Sequence, residues 1–271
     1  MRSNSGHLTW EESVLWLKSQ PHQGELVKAC FYDDPLLASA ERFHSGTEWQ
    51  AVRELIGPAR GRALDIGAGR GISAFSLAKD GWATVALEPD ASHVVGAGAI
   101  RRLAAEAEAQ IQVVETWGEA LPFENASFDL VHVRQVLHHA HDLPQLCREI
   151  GRVLKSGGLM IAAREHVLSR RQDLGEFLRC HPLHALYGGE NAFLLDEYLD
   201  ALKAGGIKIT KVLNPLESNI NLYPQTLDSL KARIASKFWL PSCARIPDVL
   251  LSLRGKFMNE PGRLYTFFGH K

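Results

Sequence analysis

The stretch ALDIGAGRGIS, residues 63–73, starts as an apolar run and ends in a turn with glycine at every second position. A run of this kind passing into such a turn is how a buried strand leads into a helix whose free N–H groups hold a nucleotide. Three nucleotides compete for it: a nucleoside triphosphate, a nicotinamide or flavin dinucleotide, and S-adenosylmethionine (SAM). A phosphate-gripping P-loop needs Lys-Ser/Thr after its last glycine, and here Gly71 is followed by Ile72-Ser73. Dinucleotide turns run Gly-x-Gly-x-x-Gly, whereas Gly67, Gly69 and Gly71 alternate, with Asp65 two residues ahead. A carboxylate so placed repels a pyrophosphate and suits a cationic amino group, such as that of a methionine moiety. Glu88 ends the next apolar run, where an acid can accept both hydroxyls of a ribose. NAD proteins share that feature, so it supports a nucleoside without choosing one.

Working outward, short apolar runs alternate with amphipathic ones. RALDIG, ATVALEPD, IQVVE, SFDLVHVR and LMIAARE read as strands. Between them, GISAFSLAKDG, the segment from about Ala91 to Ala109, and DLPQLCREIGRVLKSGG with its glycine stop read as helices. This alternation means βαβ crossovers and a mostly parallel sheet. Two later strands, IKITKVL and the terminal RLYTFFGHK, flank an insert of helical stretches with aromatics at Phe238 and Trp239. The helix LDEYLDALKAGG precedes them, with Asn191 as its expected N-cap. Another insert runs from about Val167 to Phe193. Ahead of the sheet, Thr9–Lys18 carries a capping box (Thr9, Glu12), and Thr47–Ile56 is a helix stopped by Gly57-Pro58. The division expected is a helical lid over 1–60 and a cofactor-binding core over 61–166. The rest of the core, with strands near 207–213 and 263–271, lies in 167–271 together with substrate-recognition inserts.

Composition sets the wider bounds. The 271 residues are 45% hydrophobic and 23% charged, with a formal net charge of -1. There is no basic excess to ask for nucleic acid, and no run approaching the ~20 apolar residues of a membrane span. Cys30, Cys147, Cys180 and Cys243 form no Cys-x-x-Cys pair, so neither a zinc knuckle nor a disulfide framework is expected. The N-terminal segment has no long apolar stretch with a cleavage site. A cytoplasmic monomer or homodimer is the expectation.

In order along the chain, ALDIGAGRG, ALEPD, WGEALPFENASFDLV, VLHHAHD and CREIGRVLKSGG resemble class I SAM-dependent methyltransferases of the UbiE-like, small-molecule type, over roughly Arg62 to Glu165. The resemblance implies an α/β fold: a doubly wound, seven-stranded, mostly parallel Rossmann-like sheet whose last strand is antiparallel. It implies SAM at the carboxyl ends of the first strands. Asp65 and the Gly67, Ala68, Gly69 and Gly71 backbone would hold the methionine end. Glu88 would take the ribose, with Pro89 and Asp90 beside the adenine. Relatives often carry Asp-Ala where this chain has Trp117-Gly118, so the usual contact to the adenine amino group is missing. A Gly118 N–H, the Trp117 ring and the adjoining Glu119 remain to serve the adenine. Arg134 and Gln135 would face the sulfonium.

Methyl transfer to a hydroxyl needs a group that aligns it and removes a proton, and a near-neutral histidine suits the task. His138 and His139 follow the fourth strand, close to where the methyl group is expected. His138 is the leading candidate, against a role in packing or capping; His141 reads as loop surface. Arg164, Glu165 and His166 end the fifth strand and should point into the same crevice on alternating sides. Arg164 suits an acidic acceptor, and His166 joins His138 and His139 as a catalytic candidate. The resemblance implies an acid near here that partners the histidine, a position Glu165 adjoins, itself also a candidate for the acceptor; the triplet is equally readable as a salt-bridge knot. His181, His184, Tyr187 and Glu190 crowd one insert and read as substrate recognition. His181-x-x-His184 with Glu190 is also open to a metal, but such spacing is common by chance and no metal is expected.

These observations together predict a SAM-dependent methyltransferase acting on a small molecule, most simply at oxygen, on a sugar or glycan precursor or a secondary metabolite. VRQVLHH stands where amino-methylating enzymes of nucleic acids and glutamine carry Asn/Asp-Pro-Pro-Tyr/Phe. The alternatives are a non-catalytic SAM-binding scaffold and, disfavoured by Asp65 and the glycine spacing, a nicotinamide oxidoreductase.

Overall fold

Leu64, Asp65 and Ile66 are almost wholly buried, which makes their strand a central one. The computed structural model describes residues 7–237 and 246–271; Phe238, Trp239, Cys243 and the first six residues lie outside them. The strands are β1 (Arg62–Ile66), β2 (Ala83–Leu87), β3 (Ile111–Val114), β4 (Phe128–Arg134), β5 (Leu154–Leu168), β6 (Phe193–Leu194), β7 (Lys208–Leu213) and β8 (Arg263–His270). The sheet runs β3-β2-β1-β4-β5-β8-β7, and the two-residue β6 pairs alongside β5. All pairs are parallel except those of β8, which runs antiparallel to β5 and β7. This is the doubly wound, Rossmann-like α/β sheet with an antiparallel last strand. The direction of strand order reverses at β1/β4, and ligands of such sheets sit beyond the carboxyl ends there.

Helices cover both faces. On one, Leu64, Val131 and Met160 pack with Ile150 and Phe267. On the other, Ala63, Leu130 and Ile161 pack with Phe75 and with Trp49, Val52 and Ile56 of α4 (Thr47–Ile56). Ahead of α4 come α1 (Trp10–Ser19), α2 (Gly24–Ala29) and α3 (Leu36–Ser45). The capping box at Thr9 and Glu12 is formed as the sequence predicts. α5 (Ile72–Lys79) follows the glycine turn, then α6 (Ala97–Glu106) and α7 (Leu143–Val153). After β5 come α8 (Leu174–Cys180), α9 (His184–Tyr187) and α10 (Leu195–Ala204); between β7 and β8 lie α11 (Asn219–Leu222), α12 (Leu227–Lys237) and α13 (Asp248–Lys256).

Three local expectations need correction. α6 starts at Ala97, not near Ala91, because the Ser92 hydroxyl accepts from the N–H groups of Val94 and Val95 and holds a turn instead. α7 ends at Val153, before the glycines; Leu154 is needed in the core, and Gly157 and Gly158 exchange backbone bonds with Lys271 at 2.9 and 3.0 Å. Asn191 does not cap α10. Its helix begins four residues later, where the Glu197 carboxylate accepts the Leu194 N–H at 2.8 Å. Among the described residues no helix is long and apolar enough to cross a membrane.

Candidate functional site

A cleft of about 740 Å³ opens over the carboxyl ends of β1, β2, β4 and β5, a size that suits a cofactor and a small acceptor together. Of the residues expected at the cofactor, Asp65, Gly67, Ala68, Gly69, Glu88, Pro89, Trp117, Gly118, Glu119, Arg134 and Gln135 line it. Gly71 stands behind the turn. Gly67 and Gly71 have φ of +64° and +85°, and a Cβ on Gly67 would meet Val136 at 2.6 Å, so the turn admits no side chain there.

Asp65 and His132 are register partners on β1 and β4. One Asp65 oxygen meets His132 Nδ1 at 2.7 Å, while the other, Oδ2, is buried and has no partner among the described residues. Trp49 lies edge-on to His132 at 5.8 Å. Glu88 accepts the N–H of Gly69 at 2.8 Å with one oxygen and that of Asp90 at 3.0 Å with the other. Burial pushes its carboxyl up to about 7, the two N–H groups pulling the other way. Trp117 is exposed at the rim, edge-on to His141 at 5.8 Å.

Arg134 and Gln135 line the cleft, but the Arg134 guanidinium is committed elsewhere. Nε and Nη2 grip both oxygens of the buried Glu48 on α4 at 2.6 and 3.0 Å, with the rings of Phe31 and Phe43 5.8 and 5.4 Å from the guanidinium carbon. Arg134 therefore anchors the N-terminal helices to the end of β4. Arg164 stands 4.0 Å from the same carboxylate and donates to the Ile220 carbonyl at 2.6 Å. Two buried guanidinium groups thus share one acid, and the Nε of Arg164 has no partner among the described residues.

β5 carries one extra residue against β8. Ala162 lies opposite Phe267 and Glu165 opposite Tyr265. Arg164, in the bulge, takes φ of +60°, a conformation costing a side-chain-bearing residue about 1–2 kcal/mol. Gln135, at the end of β4, is likewise at +57°. The bulge breaks the simple alternation expected of Arg164, Glu165 and His166. Arg164 faces the cleft on the α4 side. Glu165 does not line the cleft; it is fully buried beneath it. There it accepts the N–H groups of Val136 and His138 at 3.0 and 3.1 Å and His138 Nδ1 at 2.7 Å. Burial raises the Glu165 carboxyl and the backbone N–H groups pull it back; in its ionised form it only accepts, which puts the proton on Nδ1 and leaves Nε2 as the free nitrogen of His138. Burial pushes the His138 imidazole well below its ordinary value.

Around His138 stand His139 and His166, ring centres 4.1 and 4.8 Å away. His166 is held by the Gly262 carbonyl at 2.9 Å and His139 by the Gly189 carbonyl at 3.1 Å. Glu190 reaches in from the loop after α9. Its Oε1 accepts the Tyr187 hydroxyl, and its Oε2 lies 3.7 Å from His138 Nε2 and 3.9 Å from His139 Nε2. Burial alone would raise the Glu190 carboxyl, but the imidazoles of His139, His138 and His181 outweigh it and hold it below its ordinary value. His181, His166, Tyr187 and Glu190 line the cleft; His184 does not. Trp10 of α1 closes this end, edge-on to Tyr187 at 4.6 Å and to Tyr32 at 6.1 Å.

Two central residues, His132 and Glu48, escape the sequence reading. A signal for the first exists: in VHVR a histidine and an arginine share one face of a strand that should be apolar on both. Glu48 gives none, since an acid in a helix's first turn is ordinary.

Comparison with known proteins agrees with this geometry. Residues 64–162 match the methyltransferase-domain family. The chain is 37% identical over 102 residues to a ubiquinone biosynthesis O-methyltransferase of Methylocella silvestris, which covers 38% of this chain and 39% of that protein. The chain thus spans about two fifths of that relative's length. Among solved structures, geranyl diphosphate C-methyltransferase from Streptomyces coelicolor superposes with a TM-score of 0.60 at 16% identity, over 89% of this chain and 84% of that one. The [4+2]-cyclase SpnF superposes with a TM-score of 0.58 at 19% identity, over 88% and 83%. At these identities the two structures speak for the fold alone.

Proposed function

We propose, from the match of residues 64–162 to the methyltransferase-domain family, that the chain is a SAM-dependent methyltransferase that transfers a methyl group to an oxygen of a small-molecule acceptor. The observation that carries the proposal is the buried Oδ2 of Asp65, without a partner among the described residues, beside the open glycine turn. A bare carboxylate oxygen in that position is costly unless a cation meets it, and the methionine end of SAM brings an ammonium group. Glu88, aligned by two backbone N–H groups, is suited to the ribose hydroxyls, and Trp117 and Gly118 to the adenine. When bound, SAM supplies an activated methyl group on a sulfonium.

The chain's own residues do the rest. α1–α4 and α9 act as a lid that excludes water, fixed to the sheet by the Glu48–Arg134 pair. His138, oriented by Glu165, aligns the acceptor hydroxyl and takes its proton at Nε2. His139, His166, His181, Tyr187 and Glu190 surround the acceptor. Arg164 favours an acceptor that carries an acidic group. The O-methyltransferase among the relatives supports oxygen as the acceptor atom. The fold alone does not, since one fold hosts many chemistries.

Calorimetric titration with SAM, its demethylated product and NAD tests the cofactor, and turnover of labelled SAM across a panel of small hydroxylated acceptors tests the reaction. SAM binding without NAD binding, with methyl transfer to at least one hydroxyl compound, is expected. NAD binding in place of SAM overturns the reading.

A further inference from the structure

We propose that His138, His139 and Glu190 form a binding site for one divalent transition-metal ion of the zinc type. Their ligand atoms lie within 4.8 Å of one another. The separations of 3.7 and 3.9 Å between Glu190 Oε2 and the two Nε2 atoms are too long for hydrogen bonds. They are close to the spacing of two ligands on one ion: bonds of about 2.1 Å in a tetrahedral arrangement put neighbouring ligand atoms roughly 3.4 Å apart.

The surroundings are those of a metal centre. Each histidine presents Nε2 inward because its Nδ1 is held from outside, His138 by the Glu165 carboxylate and His139 by the Gly189 carbonyl. Partners of this kind fix the tautomer and orientation of metal-ligating imidazoles. Glu190 Oε2 is buried with no hydrogen-bond partner among the described residues, while Tyr187 occupies the other oxygen. That bare oxygen is the atom a cation would satisfy. Partial exposure of His139 gives the ion a way in. Two imidazoles and one carboxylate select zinc, iron, cobalt or nickel over magnesium and calcium, which prefer oxygen. His181 Nε2, 3.5 Å from Glu190 Oε1, stands at the edge of the set.

Three protein ligands leave positions open toward the cleft. The consequence for catalysis, unlike the binding itself, rests on the methyl-transfer reading. An acceptor hydroxyl entering an open position is acidified as bound water is. With the ion bound, His138 would serve as its ligand, and removal of the acidified proton would pass from His138 to another group of the cluster.

The test strips the full chain with a chelator, adds Co²⁺ and follows the visible d–d bands, with Zn²⁺ as competitor and elemental analysis for stoichiometry. One ion per chain is expected, with affinity reduced at least about tenfold in each of His139→Ala and Glu190→Gln. His139 is the more exposed ligand, so its variant tests the site even if Glu190→Gln fails to fold. Substoichiometric uptake, or uptake that both variants leave intact, overturns the proposal. SAM titration of the same samples separates the two readings: SAM binding without cobalt bands ends the metal site alone, and cobalt bands without SAM binding end the methyl-donor reading alone.

Discussion

Asp65 and His132 face one another across two adjacent parallel strands, and the 2.7 Å bond between them engages only one of the two carboxylate oxygens. The histidine fixes the carboxylate's orientation, so the free oxygen is presented to the cleft without a conformational search. Asp65→Ala should weaken SAM binding more than about tenfold, or ~1.4 kcal/mol, by calorimetry. Unchanged affinity would remove the cofactor from this end of the cleft.

Glu88 makes the cofactor site sensitive to pH near neutrality. Its carboxyl is raised from 4.5 to about 7, and only the ionised form accepts from both ribose hydroxyls. SAM affinity should therefore rise as pH is raised through about 7, and the slope should vanish in Glu88→Gln. For the empty protein the sign reverses. Between 4.5 and about 7 the folded state holds more protons on this group than the unfolded chain. This one group therefore favours folding most at low pH, and that contribution is lost as pH rises to about 7. A flat binding profile in the parent protein would count against the ribose role.

The Glu48–Arg134 pair is buried and bidentate. Removing one partner strands the other charge in the interior, so Glu48→Ala should cost about 3–5 kcal/mol in denaturant unfolding. The double replacement Glu48→Met with Arg134→Met should recover part of it, since Arg164 still loses the shared acid. Equal losses in single and double variants would show that the pair is not the anchor.

His138→Ala should lower turnover of labelled SAM with an identified acceptor while leaving SAM affinity within about twofold, because the histidine lies at the acceptor end. Glu165→Gln should act in the same direction through His138, without touching the acceptor itself. Full activity in His138→Ala would move proton removal to another group of the cluster.

The sheet, and the placing of Asp65 and Glu88 at one cleft, were readable because they depend on local spacing: Asp65 before alternating glycines, Glu88 ending the next strand. What resisted reading was pairing at a distance. His132 meets Asp65 across 67 positions and Arg134 meets Glu48 across 86, and neither residue's neighbours announce the partner. The bulge in β5 hid a second relationship. AREHV reads as plain alternation, which sends Arg164 and Glu165 to opposite sides for the wrong reason and leaves Glu165 in the crevice. One additional residue places Glu165 under the turn that carries His138 instead.

That bulge also governs how the cleft can change. From Leu159 up to the bulge, β5 keeps step with β4 and β8; downstream, the chain is shifted by one in its frame against β8. Substitutions at Arg164 or His166 change the lining of the cleft while Glu165 keeps its grip on the turn. Loss of a single residue at the bulge would move everything beyond it to the opposite face at once, taking the carboxylate away from His138. Side chains at the bulge can therefore be exchanged one at a time, whereas its length cannot change.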